Sequence, residues 1–204
     1  MQFYFLRHGE SSANLLRQFS NRGDEHPLTE RGLQQARQAA QNLTGVKPAC
    51  IYASPVLRAR QTATILAESL GAPLEIREAL REWDVGIYEG TTDPQGWELH
   101  RQVQEDWFDR QKLDSQMPGG ESFLEIRRRF VPFIEGLLAA GKGSQHQYVL
   151  VSHGGLYTAM LPVILQNVVF DFAREHGFPY TGCIRAEERD GRLYCTDWCG
   201  EGMG

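Results

Sequence analysis

The chain has 204 residues, 41% of them hydrophobic and 23% charged, and a formal net charge of -5. This is the composition of an ordinary globular domain rather than a disordered chain, and its acidic balance argues against general nucleic-acid binding while leaving room for a local basic pocket. No apolar run reaches the ~18 residues of a membrane helix, no basic region precedes an apolar core at the N-terminus, and Cys50, Cys183, Cys195 and Cys199 are too few for a disulfide framework. The expectation is therefore a single cytoplasmic domain spanning 1–204, with no membrane and no nucleic acid as partner.

The run Phe3-Tyr4-Phe5-Leu6 ends abruptly in Arg7-His8-Gly9. It predicts a short buried strand, and strands of α/β sheets present functional groups just past their carboxyl ends. A polar loop to Leu28 follows and carries Asn14, Arg17, Arg22 and His26. Thr29 is placed to cap a helix from Glu30 to about Leu43, with Leu33, Ala36, Ala40 and Leu43 at helical spacing. Ala49 to Ala53 reads as a second strand. Ser54 as N-cap and Pro55 at the first helical position then predict a helix that stops before Gly71. Leu74 to Ile76 reads as a third strand.

Residues 78–120 read as irregular and aromatic, punctuated by Pro94, Gly96, Pro118, Gly119 and Gly120. Trp97, Trp107 and Phe108 are expected to form the core of this insertion rather than a substrate platform. Ser122-x-x-Glu125 is a capping box that opens a helix to about Ala140. Tyr148 to Val151 is another apolar strand; it ends in Ser152-His153-Gly154-Gly155, and a helix to about Leu165 follows. Tyr180 to Trp198 predicts two strands around a turn at Asp190-Gly191. Strands alternating with helices predict an α/β three-layer sandwich, a mostly parallel central sheet with helices on both faces.

Three strands thus end in chemistry-bearing residues: Arg7-His8-Gly9, Ser152-His153-Gly154, and Ser54-Pro55 with Arg58 one turn on. In a parallel sheet all three ends converge on one edge. Guanidinium forks match phosphate oxygens, helix N-termini add N–H donors, and a glycine after each histidine lets backbone approach an anion. The convergence describes a phosphoryl pocket.

These residues, with the motifs Leu6-Arg7-His8-Gly9-Glu10-Ser11-x-x-Asn14, Pro27-Leu28-Thr29-x-x-Gly32, Ser54-Pro55-x-x-Arg58-Ala59-x-Gln61-Thr62-Ala63, Leu80-x-Glu82, Gly86-x-x-Glu89-Gly90, Pro118-Gly119-Gly120-Glu121-Ser122 and Val151-Ser152-His153-Gly154-Gly155, resemble the histidine phosphatase superfamily, the phosphoglycerate mutase-like proteins. The resemblance implies a nucleophile at His8, phosphate binding by Arg7, Arg58 and His153, an acid at Glu82, and Asn14 and Gly154 near the phosphate. It implies no metal and no cofactor. A protonated His153 and the two arginines would bind the charge that develops on the transferring phosphoryl group. His8 must be neutral at the attacking nitrogen, so a backbone carbonyl near Gly9 should hold its other nitrogen. A carboxyl beside such cations normally ionises easily, so burial or substrate charge must offset this at Glu82. Asp84 is the rival acid.

The stretch Gly86-Ile87-Tyr88-Glu89-Gly90 looks like the branch that includes α-ribazole phosphatases and broad-specificity phosphatases, with tyrosine where tryptophan is usual. The expected activity is a metal-independent phosphomonoesterase acting through phosphohistidine on a small phosphorylated metabolite. The alternatives are a cofactor-dependent phosphoglycerate mutase and a non-catalytic binding member of the family. The substrate should be read by residues 84–120, acting as a lid, and by the loop 11–26. Arg17, Arg22, His26 and Arg101 would meet a second anionic group, whereas the aromatics would favour an apolar or nucleoside-like leaving group. Cys183, Cys195 and Cys199 lack a fourth zinc ligand at proper spacing and are expected as free thiols. Association into a homo-oligomer is left open.

Overall fold

The structure, a computed structural model, describes residues 1–203. The chain runs β1 (Gln2–Arg7), α1 (Ser12–Leu16), α2 (Glu30–Asn42), β2 (Pro48–Ala53), α3 (Leu57–Leu70), β3 (Leu74–Ile76) and α4 (Pro94–Phe108). It continues through α5 (Phe123–Ala140), β4 (Gln147–Ser152), α6 (Gly154–Ile164), α7 (Phe170–His176), β5 (Cys183–Arg189), β6 (Arg192–Trp198) and β7 (Glu201–Gly202). The sheet order is β3-β2-β4-β1-β5-β6-β7. The first four strands are parallel; β5, β6 and β7 extend the sheet antiparallel. The sheet is therefore mixed. Asp190 and Gly191 both take positive φ in the tight turn between β5 and β6, and a hairpin of that kind pairs antiparallel strands.

The period-two alternation of the central strands builds the three layers. Tyr4 and Leu6 of β1, with Val149 and Val151 of β4, pack with Ala39, Ala40, Ala63 and Leu66 of α2 and α3. Phe3 and Phe5, with Leu150, face the other way and join Phe130, Leu156 and Tyr157 of α5 and α6. Phe3 and Phe5 are fully buried, each stabilising the fold by roughly 1.5–3 kcal/mol.

Three local expectations are corrected. Ser54 does not cap α3, which starts at Leu57 with Val56 as its N-cap; the Ser54 hydroxyl instead accepts from Val56 N–H and faces a histidine across the sheet. The segment 78–120 is not wholly irregular, because Pro94–Phe108 forms α4. Its start signal was present: the Asp93 carboxylate accepts from Gln95 N–H at 2.8 Å and Pro94 needs no donor. The short helices α1 and α7, of five and seven residues, lie where no helix was expected, since neither is long enough to show a period. The Thr29 cap and the Ser122–Glu125 capping box form as expected. All four cysteines are free. Among the described residues, no helix is long and apolar enough to cross a membrane.

Candidate active site

Strand register brings the predicted residues together. Arg7 lies opposite Ser152, and Ala53 opposite Val151. One residue further on, His8 N–H donates to Ser152 O and Ser54 N–H donates to Val151 O, both at 3.0 Å. His8, His153 and Ser54 therefore leave the sheet side by side. After β1 the chain crosses to β2 on one side, and after β4 it crosses to β5 on the other. The two histidines thus flank a topological switch point, where α/β sheets open a crevice. A cleft of about 320 Å³ opens there, with Arg7, His8, Asn14, Arg58, Glu82 and Gly154 in its walls.

The two histidines are buried and their ring centroids are 5.1 Å apart. The His8 Nδ1–H donates to Gly9 O at 2.6 Å, which leaves Nε2 with its lone pair. Arg58, in the first turn of α3, donates from Nε to that Nε2 at 2.9 Å and from Nη2 to His153 Nδ1 at 3.1 Å. A guanidinium has only donors, so His153 must carry its proton on Nε2, which donates to Ser54 Oγ at 2.7 Å. Burial, then the charges of Arg58 and its neighbours, hold both imidazoles well below the ordinary histidine pKa. This corrects one expectation: in the unliganded site His153 is neutral, because protonating it would bury a third cation beside Arg7 and Arg58. Burial lowers the Arg58 pKa to about 10, so it stays charged at neutral pH.

Arg7 stacks over Tyr180, 4.2 Å from the ring centroid, and donates to Phe178 O. Its Nε is buried with no partner, a charged donor at the site with nothing to bind. Glu82 accepts from Trp83 N–H at 3.1 Å and from Gly155 N–H, at the start of α6, at 2.9 Å. Burial raises its pKa above the ordinary carboxylate value, against the opposing pull of those N–H groups and Arg58. The rival Asp84 is forked to Arg22 at 2.6–2.9 Å and is absent from the cleft lining. Asn14 combines two tasks: its side-chain oxygen accepts from Ser11 N–H and Oγ–H at the start of α1, and the residue also lines the cleft.

The glycines divide their work differently from the expectation. A Cβ at Gly9 would lie 2.5 Å from Gly32 O, so this glycine lets β1 and α2 approach rather than an anion. A Cβ at Gly155 would lie 2.8 Å from both Glu82 Oε1 and Trp83 Nε1, so only glycine admits the acid to the α6 N-terminus.

Toward the cleft mouth, the loop 11–26 supplies Gln18, Phe19 and Asn21, and α4 supplies Trp97, His100 and Gln104. Trp107 and Phe108 are core, as expected, but Trp97 lines the cleft and stacks on Phe19 at 3.9 Å. None of the four residues expected to meet a second anion reaches it. Arg22 holds Asp84, Arg101 pairs with Glu98 and Glu105, His26 bonds Ser12 Oγ, and Arg17 lies outside the lining. Sequence reasoning missed Ser54 as a partner of His153, and missed Asn21, whose side chain donates to Trp83 O at 2.7 Å. The partners lie 99 and 62 residues apart and leave no local signal.

The profile of the Histidine phosphatase superfamily (branch 1) matches residues 3–200. A "Probable phosphoglycerate mutase GpmB" of Salmonella paratyphi C (strain RKS4594) is 32% identical over 171 residues, covering 81% of this chain and 75% of the relative. A mycobacterial glucosyl-3-phosphoglycerate phosphatase solved with VO3 superposes with a TM-score of 0.78 at 25% identity, over 97% of this chain and 98% of the other. An alpha-ribazole phosphatase from Shigella flexneri has a TM-score of 0.80 over 100% and 98% of the two chains; at 21% identity this likeness shows the fold alone. With the family profile spanning nearly its whole length and its strand ends gathered at one cleft, the chain belongs to the histidine phosphatase superfamily.

Proposed function

We propose that the protein is a phosphomonoesterase that works through a phosphohistidine on His8 and uses no metal. The observation that carries this reading is the state of His8: neutral, held at Nδ1 by Gly9 O, with the Nε2 lone pair accepting from Arg58. A phosphoryl group entering the cleft takes over the donors of Arg58 that now sit on the two imidazoles. It also gives the unpartnered Arg7 Nε an acceptor. A metal cation at the same point would face two fixed guanidiniums, and the charge repulsion disfavours it.

The His8 Nε2 lone pair attacks phosphorus, forming a P–N bond as the bond to the leaving oxygen breaks. Glu82, whose pKa burial raises toward the protonated form, gives its proton to that oxygen. The resulting carboxylate then takes a proton from water as the water attacks phosphorus, the P–N bond breaks, and inorganic phosphate leaves. Arg7 and Arg58 stabilise the charge on the equatorial oxygens in both steps.

The test is hydrolysis of phenyl phosphate in excess chelator by wild type and His8→Ala. Activity that survives chelator and falls by about 10³-fold or more in the variant supports the reading. Loss of wild-type activity in chelator overturns the metal-independent route, and activity retained by His8→Ala overturns the nucleophile.

A further inference from the structure

The cleft is divided by charge. Its lining carries the two arginines Arg7 and Arg58 and the acid Glu82, and all three lie at the strand ends beside the histidines. The outer half is uncharged. On the face that α4 turns to the cleft, Trp97, His100 and Gln104 succeed one another at helical spacing. Phe19 and Gln18 adjoin them in the lining, with Phe19 stacked on Trp97.

This wall is set before any ligand arrives. Trp97 stacks on Phe19, and its indole N–H donates to Arg17 O at 2.9 Å. His100 stacks on the buried Trp83, with centroids 4.4 Å apart. Arg22 and Arg101 are already spent on acids of this chain, Arg22 on Asp84 and Arg101 on Glu98 and Glu105, and the exposed Arg17 lies outside the lining. A flat ring entering behind the phosphoryl group would meet aromatic faces and side-chain amides. A second anion there would lose its water and face the negative side of those rings with no cation to pair with.

Taking the phosphomonoesterase reading as its basis, we propose that the outer cleft selects phosphomonoesters whose leaving group is an uncharged ring, and that it rejects leaving groups bearing a second anionic group. The ring packs against the Trp97–His100 face, and Gln18 and Gln104 hydrogen-bond its polar substituents. Burial supports the neutrality of the wall, since it pushes the His100 pKa down to about 4. The selectivity also separates this chain from what the names of its relatives suggest. Both phosphoglycerate and glucosyl-3-phosphoglycerate carry a carboxylate beside the phosphate, for which the outer wall supplies no cation.

A matched pair tests the proposal: phenyl phosphate and 4-carboxyphenyl phosphate, which differ by one carboxylate at the far edge of the ring. The carboxylated phenol is the better leaving group, so a slower reaction reports binding rather than chemistry. The expected result is a kcat/KM lower by about tenfold or more for the carboxylated ester, and a narrower gap in Gln104→Lys, which places a cation on the wall. Equal or faster turnover of the carboxylated ester by wild type overturns the proposal, as does a gap that Gln104→Lys leaves unchanged. If neither ester is hydrolysed, the phosphomonoesterase reading fails, and calorimetric binding of the same pair decides the selectivity. Tighter binding of phenyl phosphate sustains it; equal binding, or none, overturns it.

Discussion

Replacing Glu82 with glutamine tests the assignment of the acid, and the structure says why this near-isosteric change is not neutral. Both carboxylate oxygens accept backbone N–H groups, one from Trp83 at 3.1 Å and one from Gly155 at 2.9 Å. A glutamine amide can satisfy only one of them. Its NH2 group must then face an N–H donor, leaving a buried donor without an acceptor at a cost of roughly 1–3 kcal/mol. For a chain of this length that corresponds to a fall in Tm of about 2–12 °C. The variant also loses the proton that the leaving oxygen needs, worth about 10²–10⁴ in rate for an alkyl phosphate. A nitrophenyl phosphate, whose leaving group departs without a proton, should lose far less in the P–O cleavage step. The assay is therefore a pair: thermal unfolding, and single-turnover kinetics on one alkyl and one nitrophenyl ester. Asp84→Asn serves as the control, because Asp84 is tied to Arg22 outside the cleft lining. A Glu82→Gln protein that hydrolyses the alkyl ester within a few-fold of wild type would refute the acid. So would an equal loss on both esters, which would reduce Glu82 to a structural brace of the α6 N-terminus.

Two further outcomes are expected. Ser54→Ala removes the acceptor of the His153 Nε2–H and should cost roughly 1–3 kcal/mol in denaturant unfolding, with a fall in kcat as His153 loses its fixed orientation; unchanged stability and kcat would show that Ser54 does not hold the ring. Stability should also fall as pH drops below about 6.5, the ordinary histidine value. The folded-state pKa values of His8, His153 and His100 are all depressed, so the unfolded chain binds more protons and the stability present above 6.5 is lost through that window, down to about 4 for His100. Glu82, with a raised pKa, has the opposite sign: its contribution is present at low pH and is lost as pH rises through its folded value. Denaturant midpoints across pH 4 to 7 for wild type and His100→Phe check the balance, with a shallower loss expected in the variant; identical slopes would show that His100 is not held neutral by the fold.

The inner half of the site was legible in the sequence because it is made by strand ends. An apolar run that stops at Arg7-His8 or Ser152-His153 carries its own address, and parallel register then leaves the two histidines no choice but to be neighbours. The helix caps at Thr29 and Ser122 were legible for the same reason, since a cap bonds residues only a few positions away. What failed were assignments in which a local rule competed with a distant partner. Ser54 has the residue type and the following proline of a helix start, yet its hydroxyl faces His153, 99 residues away, and α3 starts two residues late. Arg22 lies in the loop that should read substrate, yet Asp84, 62 residues away, claims its fork. His153 shows the same limit in its protonation. Its type and neighbours suggest an imidazolium poised for an anion, but the charge was decided by burial beside Arg58, which a linear reading does not contain. The outer wall was the least legible part, since Trp97, His100 and Gln104 share a face only once α4 exists, and α4 was hidden behind Pro94 and Gly96 read as breaks. In a sheet of this kind the chemistry at the strand ends is written into short motifs, whereas selectivity rests on which side chains the crossover segments leave unpaired at the mouth.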